Sequence, residues 1–251
     1  MISKPLLKQS LKANWVLFAA MTGVMVVLNI QFTSMEMTKS LLFQIFYGMM
    51  ATILPDIYVL LTANKLLASQ VDRGSMAYVL SNPARRSAVV LTQTVFLVVT
   101  LFLMFALTAV AHIVVNAASP LDLSLAGAGL SGTLTGAMIA KIILSAFTVI
   151  LAMAGVCFMC SGIFNLSKYS MGFSGTFVGV SILANMLAMF GTLGVDALSG
   201  FKYLSICTLY DYRSVLVSEN DWIIKTIVAA GIAAVTFAIG GIRFCKKDLP
   251  L

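Results

Sequence analysis

Six apolar runs, at residues 15–32, 41–63, 88–115, 138–164, 171–193 and 222–244, alternate with short polar stretches along the chain. At about 1.5 Å rise per residue, a bilayer core of roughly 30 Å takes about 20 residues, so each run predicts a membrane-spanning helix. Strands are excluded, because hydrocarbon supplies no partner for backbone N–H and C=O groups and the runs lack the alternating polarity of a barrel wall. The expected fold is an all-α integral membrane protein, with residues 1–251 forming one transmembrane domain.

The polar stretches differ in character. Before the first run, Lys4, Lys8 and Lys12 recur at one-turn spacing with Leu6, Leu7 and Leu11 on another face. Two readings stay open: a basic amphipathic helix lying in the interface and leading into the first span, or a frayed basic tail, with Pro5 confining any helix to the residues after it. The connections at 33–40, 116–137 and 194–221 are short, Gly/Ser/Ala-rich, and long and polar respectively. The last carries the apolar stretch 201–209 and Tyr203, Tyr210 and Tyr212, which predicts short helices dipping into the interface, against the alternative of a mobile loop.

Composition agrees with the pattern: 60% of the 251 residues are hydrophobic and 10% charged, with mean hydropathy +1.01, whereas soluble domains carry about a quarter charged residues. The charge is +7, and its distribution orients the chain. With the N-terminus inside, Lys4, Lys8, Lys12, Lys65, Arg73, Arg85, Arg86, Lys168, Arg243, Lys246 and Lys247 fall on the cytoplasmic side, and only Lys39, Lys141, Lys202, Arg213 and Lys225 on the other. Positive residues gather inside, so both termini are expected in the cytoplasm of a multi-pass cell-membrane protein. The basic balance then marks topology and attraction to anionic lipid heads, and no nucleic-acid partner is expected. The first run continues through residues 24–30 with no small-x-small cleavage site after it, and reads as a retained anchor. Cys157 and Cys160 form a Cys-x-x-Cys pair inside an apolar run with no second ligand pair, which reads as two buried thiols.

Residues 64–93 carry the most legible local chemistry. Leu67 and Val71 extend a helical face out of the membrane, Gly74 breaks it, and Ser75 is placed to cap a short helix presenting Met76, Val79 and Leu80 on one side. Asn82 and Pro83 then suit the N-cap and first turn of the third span, with Arg85 and Arg86 at head-group level. The segment is either an ordinary loop whose charges hold topology or a docking surface, a short helix ringed by Asp72, Arg73, Arg85 and Arg86 that a cytoplasmic partner could grip.

The run Asp72-Arg73-Gly74-Ser75, followed by Leu80-Ser81-Asn82-Pro83-Ala84-Arg85-Arg86, resembles the signature of type-2 ABC exporter permeases, in which an acidic residue and Gly-Thr or Gly-Ser precede Leu-Leu-Ser-x-Pro-x-(Ser/Thr)-Arg. It departs in having Asp72 where Glu is commoner and Gln93 where a Lys often follows. The layout is similar throughout: interfacial N-terminal helix, six spans, a coupling helix after the second and a long outer loop before the sixth. The resemblance implies a half-transporter that pairs with a second copy of itself, binds a separate ATP-hydrolysing subunit and exports amphipathic or hydrophobic cargo, with the small Gram-positive peptide and phenol-soluble-modulin-type exporters the nearest in kind. It assigns coupling to the ATPase to Asp72, Arg73, Gly74, Ser75, Tyr78, Pro83, Arg85 and Arg86. Lys168, in the short 165–170 loop, is a second, minor cytoplasmic contact. ATP and Mg²⁺ would be held by the partner, since Gly132-Thr-Leu-Thr-Gly136 lacks the spacing and the Lys-Ser/Thr of a phosphate loop.

Polar residues within the runs are the other candidates. Pro55 can kink the second span, and Asp56, about eight residues from its cytoplasmic end, costs about 2.5–3.5 kcal/mol on insertion scales if ionised. It reads either as a cavity-lining or gating residue or as a carboxyl satisfied by a neighbouring helix. Asn29 and Asn185 are further cavity candidates, and His112, the single histidine, reads as a hydrogen-bonding residue near the outer interface. Gly175 and Gly179, and Ala230, Ala234 and Ala238, form small-residue faces for packing within one subunit or between two.

One His and two Glu leave no convergent acid–base or metal set, so no enzymatic activity and no cofactor are expected on this chain. The alternative function is a stand-alone ion-coupled transporter with Asp56 as the carrier, which the absence of an inverted repeat disfavours.

Overall fold

The computed structural model describes residues 2–76, 86–126, 130–191 and 196–248. Among these, helices account for nearly everything, and the one β pairing is an isolated bridge between Asp122 and Thr133. Six helices are long and apolar enough to cross a membrane: Lys4–Ser34, Leu42–Asp72, Arg86–Ala118, Gly136–Ile163, Ser167–Met189 and Asp221–Lys246. The chain is thus compatible with a multi-pass membrane protein, as the apolar runs predict.

In chain order we name α1 (Lys4–Ser34), α2 (Glu36–Leu41), α3 (Ala51–Leu66), α4 (Ala68–Asp72), α5 (Arg86–Ala118), α6 (Gly136–Ile163), α7 (Ser167–Gly191), α8 (Tyr212–Leu216) and α9 (Asp221–Lys246). A π-helical stretch, Leu42–Met50, runs directly into α3. Short 3₁₀ turns occupy Leu123–Ala126, Asp196–Tyr203 and Cys207–Leu209, so the long polar connection does fold into short helices.

The basic N-terminal segment is continuous with the first span. Helix α1 runs 31 residues without a break, and its buried positions Leu6, Ser10, Asn14, Phe18, Thr22, Met25, Asn29 and Thr33 make a single stripe. That stripe lies on α5: the Ser3 N–H donates to Thr92 Oγ1 at 3.0 Å and the Ser10 hydroxyl to Gln93 Oε1 at 2.8 Å. Gln93 is fully buried. Hydrogen bonds between polar side chains give apolar helices a register that dispersion alone does not.

The hub is α6. The Thr135 side chain accepts from the Met138 N–H at 3.3 Å to cap its start, and Phe164, in extended conformation, ends it. Of its most apolar stretch 78% is buried, against 17% for α9 and 22% for α7. Helix α9 reaches it through glycines: a methyl built on Gly162 would lie 2.5 Å from the Gly240 carbonyl oxygen, and one on Gly240 2.7 Å from Met159 Cα. Of the expected small-residue faces, Gly175 looks inward, a methyl on it lying 3.8 Å from the Leu60 side chain. Ala229 and Ala233 are buried, while Ala230, Ala234 and Ala238 are exposed and nothing lies within 4 Å of a methyl on Gly179. The face of α9 carrying Ala230, Ala234 and Ala238 is therefore not spent inside the subunit.

Both chain ends lie at one end of the bundle, since Ser3 bonds Thr92 and the C-terminal segment bonds Arg86 near the start of α5. We call this the termini end and the opposite one the far end.

Candidate functional site

At the termini end the last turns of the second spanning helix are tied to the body of the bundle. Helix α3 breaks at Leu67 (φ −127°, ψ −69°). It resumes as α4, where the Ala68 N–H, freed by the break, donates to the Ser161 hydroxyl of α6 at 2.9 Å. Asp72, at the end of α4, accepts from the Ser167 N–H, the first of α7, at 3.2 Å, and Asn64 Nδ2 donates to the Ser167 hydroxyl at 2.7 Å. A carboxylate facing a helix's first N–H groups is favoured by both the unpaired donors and the macrodipole. Asp72 and Lys168 are thereby brought together, by way of Ser167. Replacing Asp72 with alanine is expected to uncap α7 and destabilise the purified chain by about 1 kcal/mol, with Asp72→Asn losing less; thermal unfolding of both variants checks this.

Gly74 has φ +70°, a conformation that L side chains rarely adopt, and it ends α4 as its position in the sequence requires. Arg73 and Ser75 are exposed beside it, and the Ser75 hydroxyl turns back to donate to the Gln70 carbonyl at 3.1 Å. Tyr78, Pro83 and Arg85 lie outside the described residues. Arg86 opens α5, and its guanidinium donates to the Lys247 carbonyl at 2.8 Å, closing the C-terminus of α9. Lys247 in turn donates to the Phe164 carbonyl at 3.0 Å, and burial lowers its ammonium to about 8. Arg86 and Lys247 therefore clasp α5, α6 and α9 together.

The middle of the bundle holds Asp56. The helix that carries Asp56 runs on past residue 63 to the break at Leu67, and resumes as α4 to Asp72. Asp56 is fully buried, and its carboxylate Oδ2 accepts from the Cys207 thiol at 3.5 Å, while Oδ1 has no partner among the described residues. Cys207 belongs to the long connection, which therefore folds inward to this depth. Ser205 anchors it: its hydroxyl donates to the Ser181 carbonyl of α7 at 2.8 Å and accepts from the Cys207 N–H at 3.0 Å. Pro55 is buried beside Asp56 inside α3, one turn beyond the π-helical stretch.

Asn29 and His112 meet a residue that the sequence does not flag, Tyr47. The Tyr47 hydroxyl is 2.7 Å and Asn29 Nδ2 3.1 Å from His112 Nδ1. The amide nitrogen can only donate, so Nδ1 accepts and the ring proton sits on Nε2, which has no partner among the described residues. His112 is fully buried and Tyr47 1% exposed, so this hydrogen-bonding histidine joins three helices. Tyr47 is sandwiched between rings, with centroids 5.7 Å from His112 and 6.1 Å from Tyr212.

Tyr212 leads to a cavity of about 320 Å³ at the far end, between α7, the π-helical stretch and the segment 202–213. Asn185 lines it. So does Asp211, which accepts from the Ser214 N–H at 3.1 Å and hydroxyl at 2.8 Å and pairs with Lys225. Burial alone would raise the Asp211 carboxyl, but Lys225 and the two Ser214 donors outweigh it and hold it below the usual carboxylate range. A carboxylate depressed by folding stabilises the fold above its unfolded pKa, and that stability is lost as pH falls through its folded value. The protection of amides in residues 211–216, relative to their intrinsic exchange rates, is therefore expected to fall below about pH 4, and Asp211→Asn to flatten that dependence.

Neither a protein-family model nor a curated protein sequence matches this chain.

Proposed function

We propose that the chain is the membrane-spanning permease subunit of a type-2 ABC exporter, working as a pair of identical copies with a separate cytoplasmic ATPase and moving amphipathic or hydrophobic cargo, peptides foremost. The observation that carries the reading is the run from Asp72 through Pro83 to Arg86 between the second and third spanning helices. Its described part supports a coupling role. A load applied at residues 72–75 passes through Asp72 to α7, through Ala68 to α6, and along α4 to α3 and Asp56; at the other side of the loop Arg86 passes it to α5 and α9. The termini end would then be cytoplasmic, and the unspent Ala230, Ala234 and Ala238 face of α9 is available to lipid or to the second copy.

The reading is tested by a stringent pull-down of the tagged full chain from its native membrane, with flux of labelled amphipathic peptide as the second measurement. An ATPase should be recovered, and Arg73→Ala or Gly74→Val should cut ATP-driven flux at least tenfold while leaving the chain folded. Recovery of no ATPase, together with unchanged flux in both variants, defeats it.

A second reading is kept by Asp56, a mid-span acid with one unpartnered oxygen among the described residues: an ion-coupled transporter needing no ATPase. It requires the purified chain alone, in liposomes, to move cargo under a pH or Na⁺ gradient and to lose that flux on Asp56→Asn.

A further inference from the structure

Among the described residues the wall of the far-end cavity carries more cations than carboxylates. Lys202 and Arg213 stand in its wall, and neither forms an ion pair among the described residues. Their heads are parked over aromatic rings: Lys202 Nζ lies 5.0 Å from the centroid of Tyr203 and the Arg213 guanidinium carbon 5.9 Å from that of Tyr212. Among the described residues the one carboxylate there, Asp211, is already committed to Lys225 and Ser214. Two cations are left over an apolar floor made by Ala188, Met189 and Tyr212, with Asn185 as a neutral polar group beside them. The wall also includes Tyr210, 8% exposed, whose hydroxyl has no partner among the described residues. Next to Lys202 the chain turns Tyr203 (84% exposed) and Leu204 (61% exposed) outward, the composition of a segment resting at a membrane surface. Cations that face a cavity beside such a segment meet the heads of amphiphiles at that level.

Size narrows the occupant. Water takes up about 30 Å³ per molecule in the liquid, so 320 Å³ admits an anionic head and a few carbons. An α-helix with its side chains is about 10–12 Å across, too broad to enter. We propose that this cavity is a binding site for the head and first carbons of an anionic, lipid-like amphiphile, its phosphate or carboxylate oxygens held by Lys202 and Arg213 and its chain lying against Tyr212 and Met189. The site goes beyond the permease reading and does not depend on it.

The test uses the purified full chain in phosphatidylcholine nanodiscs without any ATPase, with dodecyl phosphate as the probe and dodecyltrimethylammonium as its charge-reversed counterpart. Dodecyl phosphate should bind saturably and the cationic analogue should not. The exposed Lys202 and Arg213 can be changed without loss of packing, and Lys202→Gln with Arg213→Gln should weaken binding by roughly tenfold per cation. Gly48 offers a second variant. A methyl there would lie 3.8 Å from the Met189 side chain, an ordinary contact, so Gly48→Leu should fill the cavity and abolish binding with both cations in place. Phosphatidylglycerol added to the discs separates the sources. If it competes, the head belongs to a bilayer lipid; if it does not while dodecyl phosphate still binds, the occupant is a free single-chain amphiphile. Unchanged affinity in the double variant or in Gly48→Leu, equal binding of the cationic analogue, or binding of an amphipathic peptide but not of dodecyl phosphate overturns the assignment. A pull-down that recovers no ATPase leaves it untouched, and its own failure leaves the coupling loop untouched.

Discussion

Gly162→Ala is expected to destabilise the chain by about 3 kcal/mol, and Gly240→Ala by a similar amount. The added carbon at Gly162 meets the Gly240 carbonyl oxygen at 2.5 Å, and the one at Gly240 meets Met159 Cα at 2.7 Å. Both obstacles are backbone, so no rotamer change relieves them and α6 and α9 must move apart. Such a shift disturbs the hub on which the other helices pack. Gly179→Ala is the matched control: the site is open, and replacing a helical glycine there should be neutral or stabilising by up to about 1 kcal/mol. Thermal unfolding in mild detergent, followed by the reaction of buried Cys157 and Cys207 with a thiol-reactive dye, measures all three. A Gly162→Ala chain as stable as the parent would show that the α6–α9 contact is looser than described.

His112→Ala is expected to cost about 3 kcal/mol as well, by another route. It deletes a buried ring and leaves the Tyr47 hydroxyl and the Asn29 amide without their shared acceptor. Tyr47→Phe removes one hydrogen bond and keeps the ring stack, so about 1 kcal/mol is expected. The two differ in reach. Because Tyr47 is stacked between His112 and Tyr212, the histidine variant should loosen residues 210–216 in amide exchange, whereas the clasp of Arg86 and Lys247 should keep its protection. Uniform loosening of both ends would mean that His112 holds the bundle as a whole rather than this column.

The six spans are legible in the sequence because each needs only length and apolarity, quantities that single runs display. The break at Gly74 is legible for the same local reason, a residue type suited to one backbone conformation. Pairings across long separations are hidden. Asn29, Tyr47 and His112 come from three different spans, and a tyrosine in an apolar helix carries no mark of the partner its hydroxyl will find. Cys207 is legible only as a thiol in a polar connection; its approach to Asp56 depends on that connection folding inward, which no periodicity records. Small residues mislead in a related way. Spacing picks out Ala230, Ala234 and Ala238 on α9 as readily as the neighbouring face, and only the position of Gly155 and Gly162 on α6 decides that Ala233 and Gly240 are the buried ones. Asn185 stands out because a lone amide in an apolar run is conspicuous, although most of the wall around it, Gly48 and the segment 202–213, is far from it in sequence.

The π-helical stretch Leu42–Met50 contains Tyr47 and passes without a break into α3, which carries Asp56. Its wider winding sets the angle at which Tyr47 leaves the helix axis, and hence whether its hydroxyl can find His112. Tightening to ordinary α geometry would swing that ring out of its slot and at the same time rotate Gly48, which lines the far-end cavity, relative to Asp56. One short segment's winding thus fixes two positions at once, a tyrosine in the polar junction and a glycine in the wall of the chamber.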